Sequence, residues 1–307
     1  MTEKLPSTKK KTVSLILGSG GARGLAHIGV IKWLEENGYE IKFISGSSMG
    51  ALIGGAYAAG RMDEFCDWFD TLSRSDLLSL SDFSWQKSGL IKGDKLFEKL
   101  KELIGDPNIE DLEIPFTAVA TDIENEKEVW LQKGSLMDAI RASIALPMIF
   151  TPYKGEDRVL IDGGVLNPIP IAPTFSQHND LSIAVNLGGK PQQVEKQEMD
   201  SEAKEKQATW VQAISDYFDE LKQRLFSKED ADQTLFGWDM YDISNKAFDS
   251  MQSSLSRQKI AAYPPDILLE LPRDACGMLD FHLMEPMVKL GYETAEKVMS
   301  NHPTNSR

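Results

Sequence analysis

Short apolar runs alternate with segments of helical periodicity along most of the chain. Val13 to Leu17 is an apolar run closed by glycine, and Leu25 to Asn37 follows with Ile28, Ile31, Trp33 and Leu34 at helical spacing before Gly38. Ile41, Phe43 and Ile44 form a second strand that runs into Gly46-Ser47-Ser48-Met49-Gly50, after which Ala51 to Ala59 reads as a helix of small residues. Further strands are predicted at Phe116 to Ala120, Val129 to Leu131, Val159 to Ile161, Leu181 to Leu187 and Ile267 to Leu271, with helices at Lys95 to Ile104 and Leu136 to Ile144. Strands that alternate with helices imply an α/β fold with a largely parallel central sheet.

The pattern changes after Gly189. Residues 190 to 207 are rich in Lys, Glu and Gln and read as a linker or the start of an exposed helix. Trp210, Ile214, Tyr217, Phe218, Leu221 and Leu225 then recur every three or four residues, which puts them on one face of an amphipathic helix. Such a helix packs on the sheet or forms a lid that meets lipid.

Composition narrows the function. The 307 residues, 41% of them hydrophobic and 26% charged, suit one large soluble domain, and no apolar run approaches the ~20 residues of a membrane-spanning helix. A formal net charge of -14 argues against nucleic acid as a partner and against stable adsorption to anionic lipid. The basic run Lys9-Lys10-Lys11 precedes too short an apolar stretch for a signal peptide. Cys66 and Cys276 are far apart with no metal-like spacing, so thiols in a reducing cytoplasm are expected.

Three motifs carry chemistry. Gly46-Ser47-Ser48-Met49-Gly50 fits G-x-S-x-G between a strand and a helix, the context in which the chain reverses sharply and exposes the central serine, Ser48. Gly18-Ser19-Gly20-Gly21-Ala22-Arg23-Gly24 closes the first strand and has two readings. As a phosphate cradle it matches a dinucleotide loop imperfectly, because Arg23 stands at the third glycine position and the second strand ends without an acidic residue. A Walker-type loop is excluded, since no Gly-Lys-Ser/Thr follows. As an oxyanion hole it would offer the N–H groups of Gly20 and Gly21, with Met49 N–H as a third donor, beside Ser48 if the first two strands are parallel neighbours. Asp162-Gly163-Gly164 follows a short strand on what reads as a tight loop. Arg23 could meet a headgroup phosphate or anchor its own loop through an ion pair.

Gly-Gly-Ala-Arg-Gly at 20–24, Gly-Ser-Ser-Met-Gly at 46–50 and Asp-Gly-Gly at 162–164, in that order, resemble the signature blocks of the patatin-like phospholipases. Arg141-Ala142-Ser143-Ile144-Ala145-Leu146-Pro147, with Phe150 and Pro152, resembles a fourth. The resemblance covers roughly residues 12 to 190 and, more weakly, the Pro264-Pro265-Asp266 strand. It implies a three-layer α/β/α fold and hydrolysis of lipid acyl esters, of the phospholipase A or lysophospholipase type. It also implies a dyad of Ser48 and Asp162, with neither histidine, metal nor cofactor. The expected organisation is one acyl-hydrolase domain over 12–300, with a polar and amphipathic helical insertion at about 190–260 and a flexible tail at 1–11. A lipid ester is the expected partner, with transient contact at a membrane surface; oligomeric state is not readable from the sequence. Two alternatives accompany this reading: a Ser-Asp-His esterase triad completed by His178 or His282, and a non-catalytic regulator that keeps the fold.

Overall fold

The computed structural model describes residues 10–71, 92–147, 149–155, 157–192, 240–278 and 280–302. Its centre is an eight-stranded mixed sheet of order β5-β6-β3-β2-β1-β7-β8, with β4 also paired to β3. The strands are β1 Lys11–Leu17, β2 Tyr39–Ser47, β3 Phe116–Asp122, β4 Lys127–Leu131, β5 Tyr153–Lys154, β6 Val159–Asp162, β7 Leu181–Gly189 and β8 Ile267–Pro272. From β3 to β8 across the middle of the sheet, five strands run parallel. The middle strands are apolar because both of their faces are covered: every residue of β1 from Val13 to Leu17 is buried.

The helices are α1 Ala26–Glu36, α2 Met49–Ala58, α3 Met62–Thr71, α4 Asp94–Ile104, α5 Leu136–Ser143, α6 Met240–Ala262 and α7 Met284–Ser300. On one face of the sheet, Leu15, Leu17, Ile44, Ile183, Val185 and Leu269 pack with α1, α2, α5 and α7 in the main core. On the other, Ile16 and Ala184 meet Ile169 and Ile171 of the segment after β6, with Ile260 of α6 alongside. The result is a three-layer α/β/α arrangement. Among the described residues no helix is long and apolar enough to cross a membrane.

The structure departs from the sequence pattern in instructive places. β6 runs antiparallel to β3, with Ala120 opposite Asp162, because a hairpin closed by Gly155 and Arg158 returns the chain from β5. Lys11 already belongs to β1, and residues 1–9 of the expected N-terminal tail lie outside the described residues. So does the amphipathic stripe from Trp210 to Leu225. The last part of the same region is α6, which lies against the sheet and the segment after β6.

The α1–α7 contact depends on two glycines. A methyl group at Gly29 would overlap the Val288 carbonyl, and one at Gly291 would overlap the Ala26 carbonyl. Each helix thus brings its backbone against the other's where a Cβ is missing. Gly29→Ala and Gly291→Ala are each expected to destabilise the protein by about 2–3 kcal/mol, despite the ~1 kcal/mol alanine normally gains over glycine in a helix. A lowered urea midpoint with unchanged slope would show it.

Candidate active site

Leu17 pairs with Gly46, so the ends of β1 and β2 lie side by side and the loops that follow them emerge together at the C-terminal edge of the parallel strands. The chain order of strands turns around at β1, which has β2 on one side and β7 on the other. Clefts form at such a point in open α/β sheets.

Ser48 occupies the apex between β2 and α2 with φ 56° and ψ -124°, a conformation few non-glycine residues adopt. Its neighbours make the reversal possible. A Cβ at Gly46 would overlap the Gly50 carbonyl, and one at Gly50 would overlap the Leu17 carbonyl, so the helix start folds directly over the end of β1. Ser143, at the end of α5, fixes the apex: its Oγ accepts the Ser48 N–H at 3.0 Å and donates to Val119 O at 2.6 Å.

Asp162 ends β6 and is fully buried. Its N–H donates to Ala145 O at 3.0 Å. One carboxylate oxygen accepts the Ser48 hydroxyl at 2.6 Å, and the other accepts Gly164 N–H at 2.7 Å. Burial pushes the carboxyl up to about 7, against the smaller opposite pull of those two donors. A serine hydroxyl in contact with a carboxyl that changes charge near neutral pH can lose its proton there.

The glycine loop is held at both ends. Gly18 N–H donates to Val185 O, Ser19 N–H to Pro168 O at 2.7 Å and Ala22 N–H to Met278 O at 2.8 Å. Between them, Gly20 and Gly21 donate to no backbone carbonyl among the described residues. Gly21 has φ 56°, and a side chain there would also strike Met278. Arg23 reaches back with Nε to Gly20 O at 3.0 Å, with one terminal nitrogen to Arg273 O at 2.7 Å and with the other to Asp249 at 2.8 Å. Of the two readings of Arg23, these contacts belong to the loop anchor. A trans peptide is planar, so fixing the Gly20 carbonyl also fixes the opposite direction of the Gly21 N–H.

His27 lies beneath the same loop, fully buried, with Nε2 2.8 Å from Gly18 O. Burial pushes it down to about 4, so it is neutral at physiological pH and Nε2 carries the proton that Gly18 O accepts. His178 does not meet Ser48. His178 is exposed in the loop before β7, at the opposite end of the parallel strands, and His282 falls in the turn Phe281–Leu283. Sequence reasoning quoted Ser143 within a motif without giving its hydroxyl a task, and it missed Asp249; both reach their partners across long chain distances.

Known proteins resemble this chain in sequence. A family model described as patatin-like phospholipase matches residues 15–175, a span that contains the glycine loop, the Ser48 elbow and Asp162. An uncharacterized NTE family protein of Mycobacterium tuberculosis is 37% identical over 327 residues, covering 94% of this chain and 91% of that one. A lysophospholipase of Emericella nidulans is 31% identical over 186 residues, 58% of this chain and 12% of the fungal protein. Among solved structures, VipD from Legionella pneumophila aligns with a TM-score of 0.46 and 15% identity, over 96% of this chain and 68% of its own. With the family model spanning the sheet's first strands and both site loops, and a relative matched nearly end to end, this chain belongs to the patatin-like phospholipases, a family of lipid hydrolases.

Proposed function

We propose that the protein is a carboxylic ester hydrolase that cleaves lipid acyl esters through Ser48 and Asp162, in the manner of a phospholipase A or lysophospholipase. The contact between the Ser48 hydroxyl and the buried Asp162 carboxylate carries this reading. Asp162 accepts the hydroxyl proton as the Ser48 oxygen attacks the ester carbonyl carbon. The carbonyl electrons move to oxygen, and the oxyanion is met by the N–H groups of Gly20 and Gly21, with Met49 N–H at the first turn of α2 as a third donor. The tetrahedral species collapses, the alcohol leaves with the proton from Asp162, and an acyl-serine remains. Water then gives its proton to Asp162 and displaces the fatty acid. Arg23 acts here as a positioning residue, through the Gly20 carbonyl.

A buried carboxyl near 7 suits this work better than an ordinary one near 3.8, because the stronger base is still half ionised at neutral pH. The placement of His178 supports a dyad over a triad. The activity test follows from both points. In kcat/KM for a p-nitrophenyl acyl ester, the rate should climb tenfold per pH unit below a single midpoint near 7 and level off above it. The double variant His178→Ala, His282→Ala should give the same curve at a similar height. A curve that loses its midpoint in the double variant would transfer the base role to histidine.

A further inference from the structure

Helix α6 lies beyond residues 15–175, yet it reaches both loops of the site. Gln252, Ser253 and Ser256 are polar and buried on one side of the helix. Gln252 Nε2 donates to Ser19 Oγ at 3.1 Å, on the glycine loop. The same nitrogen lies against Gly164, where a methyl group would overlap both Gln252 Nε2 and Ser19 Oγ. Gly164 is the residue whose N–H holds Asp162. One turn before Gln252 along the helix, Asp249 holds Arg23. The side chains of α6 therefore sit where the oxyanion loop and the Asp162 loop meet.

We propose that Gln252 is a positioning residue of the hydrolytic site, which sets the spacing between the glycine loop and the Asp162 loop. The proposal rests on the dyad reading given above. A helix that only needed to cover the sheet would do so with apolar side chains, as Ile260 does at the other end of α6. An amide that is 7% exposed and bonded across to a loop hydroxyl has instead a directional task. Its length matters as well as its polarity: Gly164 can approach only because it lacks a side chain, so the amide and the Asp162 loop are in direct contact.

The electrical surroundings make this testable. Asp162 responds to its burial, to the Ser48 hydroxyl and to Gly164 N–H. The charged groups of α6 near the sheet are already paired, Asp249 with Arg23 and Lys259 with Glu128. His27, under the glycine loop, is neutral. A new negative charge at position 252 would thus act on Asp162 without a competing cation from these neighbours.

The experiment compares wild type with Gln252→Met, which keeps the volume and removes the donor, and with Gln252→Glu, using a p-nitrophenyl acyl ester, and includes Ser48→Ala as reference. Melting temperatures and the rate of Ser48 labelling by a fluorophosphonate are recorded for each. Gln252→Met with a melting temperature near wild type should lower kcat by about 10- to 100-fold and leave KM within about twofold. Gln252→Glu should move the midpoint of the kcat/KM profile, and of the labelling rate, to higher pH by about one unit, since a nearby anion opposes ionisation of Asp162. Wild-type kcat and midpoint in both variants overturn the proposal, as does a change confined to KM. Activity that survives in Ser48→Ala defeats the dyad itself, and the proposal with it; that result is read in a different variant from the other two.

Discussion

Ser48→Ala is expected to lower turnover of acyl esters on the order of 10^5-fold, and Asp162→Asn by at least about 10^3-fold. The first figure follows from removal of the attacking oxygen. The second follows because an amide cannot receive the Ser48 proton, although it keeps an acceptor for Gly164 N–H and the size of the original side chain. The two residues act on one proton, so the double variant should be about as slow as the slower single one. Alanine at position 48 inherits the φ of 56° that serine already tolerates, so the elbow itself is preserved. Steady-state rates and labelling with a fluorophosphonate would measure both effects. Full activity in either single variant would rule out the dyad.

The same Asp162→Asn change should make the protein more stable at alkaline pH. The folded carboxyl is raised to about 7 from its ordinary 3.8, so the folded state binds its proton more tightly than the unfolded chain does. A raised value contributes stability fully below about 3.8, and that stability is lost as pH climbs through about 7. Above 7 the wild type bears an ionised carboxylate in a fully buried position, which costs about 4 kcal/mol relative to low pH by this measure. The amide is free of that cost at every pH. Urea unfolding at pH 8 should therefore show Asp162→Asn above wild type by up to about 4 kcal/mol, with the gap closing towards pH 4. Equal stabilities at pH 8 would mean that the carboxyl is not held in its neutral form by the fold. A variant that gains stability as it loses turnover is the expected mark of a base kept under strain for its chemistry.

What could be read from the sequence is what depends on neighbours along the chain. The elbow at Ser48 is marked by glycines at 46 and 50 around the serine, and the glycine run after β1 stands out in the same way as a short contiguous pattern, although Gly46 alone of these has its steric reason within a few residues. The parallel core was readable because β1 and β7 are buried over most of their length and therefore mostly apolar there, as in Leu15 to Leu17 and Ile183 to Val185. Asp162 was harder, since Asp-Gly-Gly alone describes many turns, and it gained meaning only from the order of the other motifs. Contacts between distant residues left no such trace. Arg23 remained ambiguous because its partners lie 226 and 250 residues away. Ser143 looked like one small residue among several, with its hydroxyl bridge to Ser48 N–H spanning 95 positions. The polar face of α6 carried no signal of its own, because a buried glutamine and a wet one are written with the same letter. The antiparallel direction of β6 was invisible for a related reason: a short apolar run has the same composition in either direction.

The reach of Arg23 to the Arg273 carbonyl bears on how the molecule comes into operation as it folds. The elbow and the first two strands are close in sequence and can associate early, at low cost in loop closure. The glycine loop has no such independence. Its carbonyl clamp waits for the chain just after β8 and for α6, and helix α1, which issues from the loop, waits for α7. On the proposed function, a partly folded molecule that already has its serine exposed would therefore still lack an ordered receptor for negative charge, and would stay inert towards the esters around it. Hydrolysis would in this sense be a late property of the folding reaction, and the rate at which activity returns on dilution from denaturant would time the docking of the C-terminal elements.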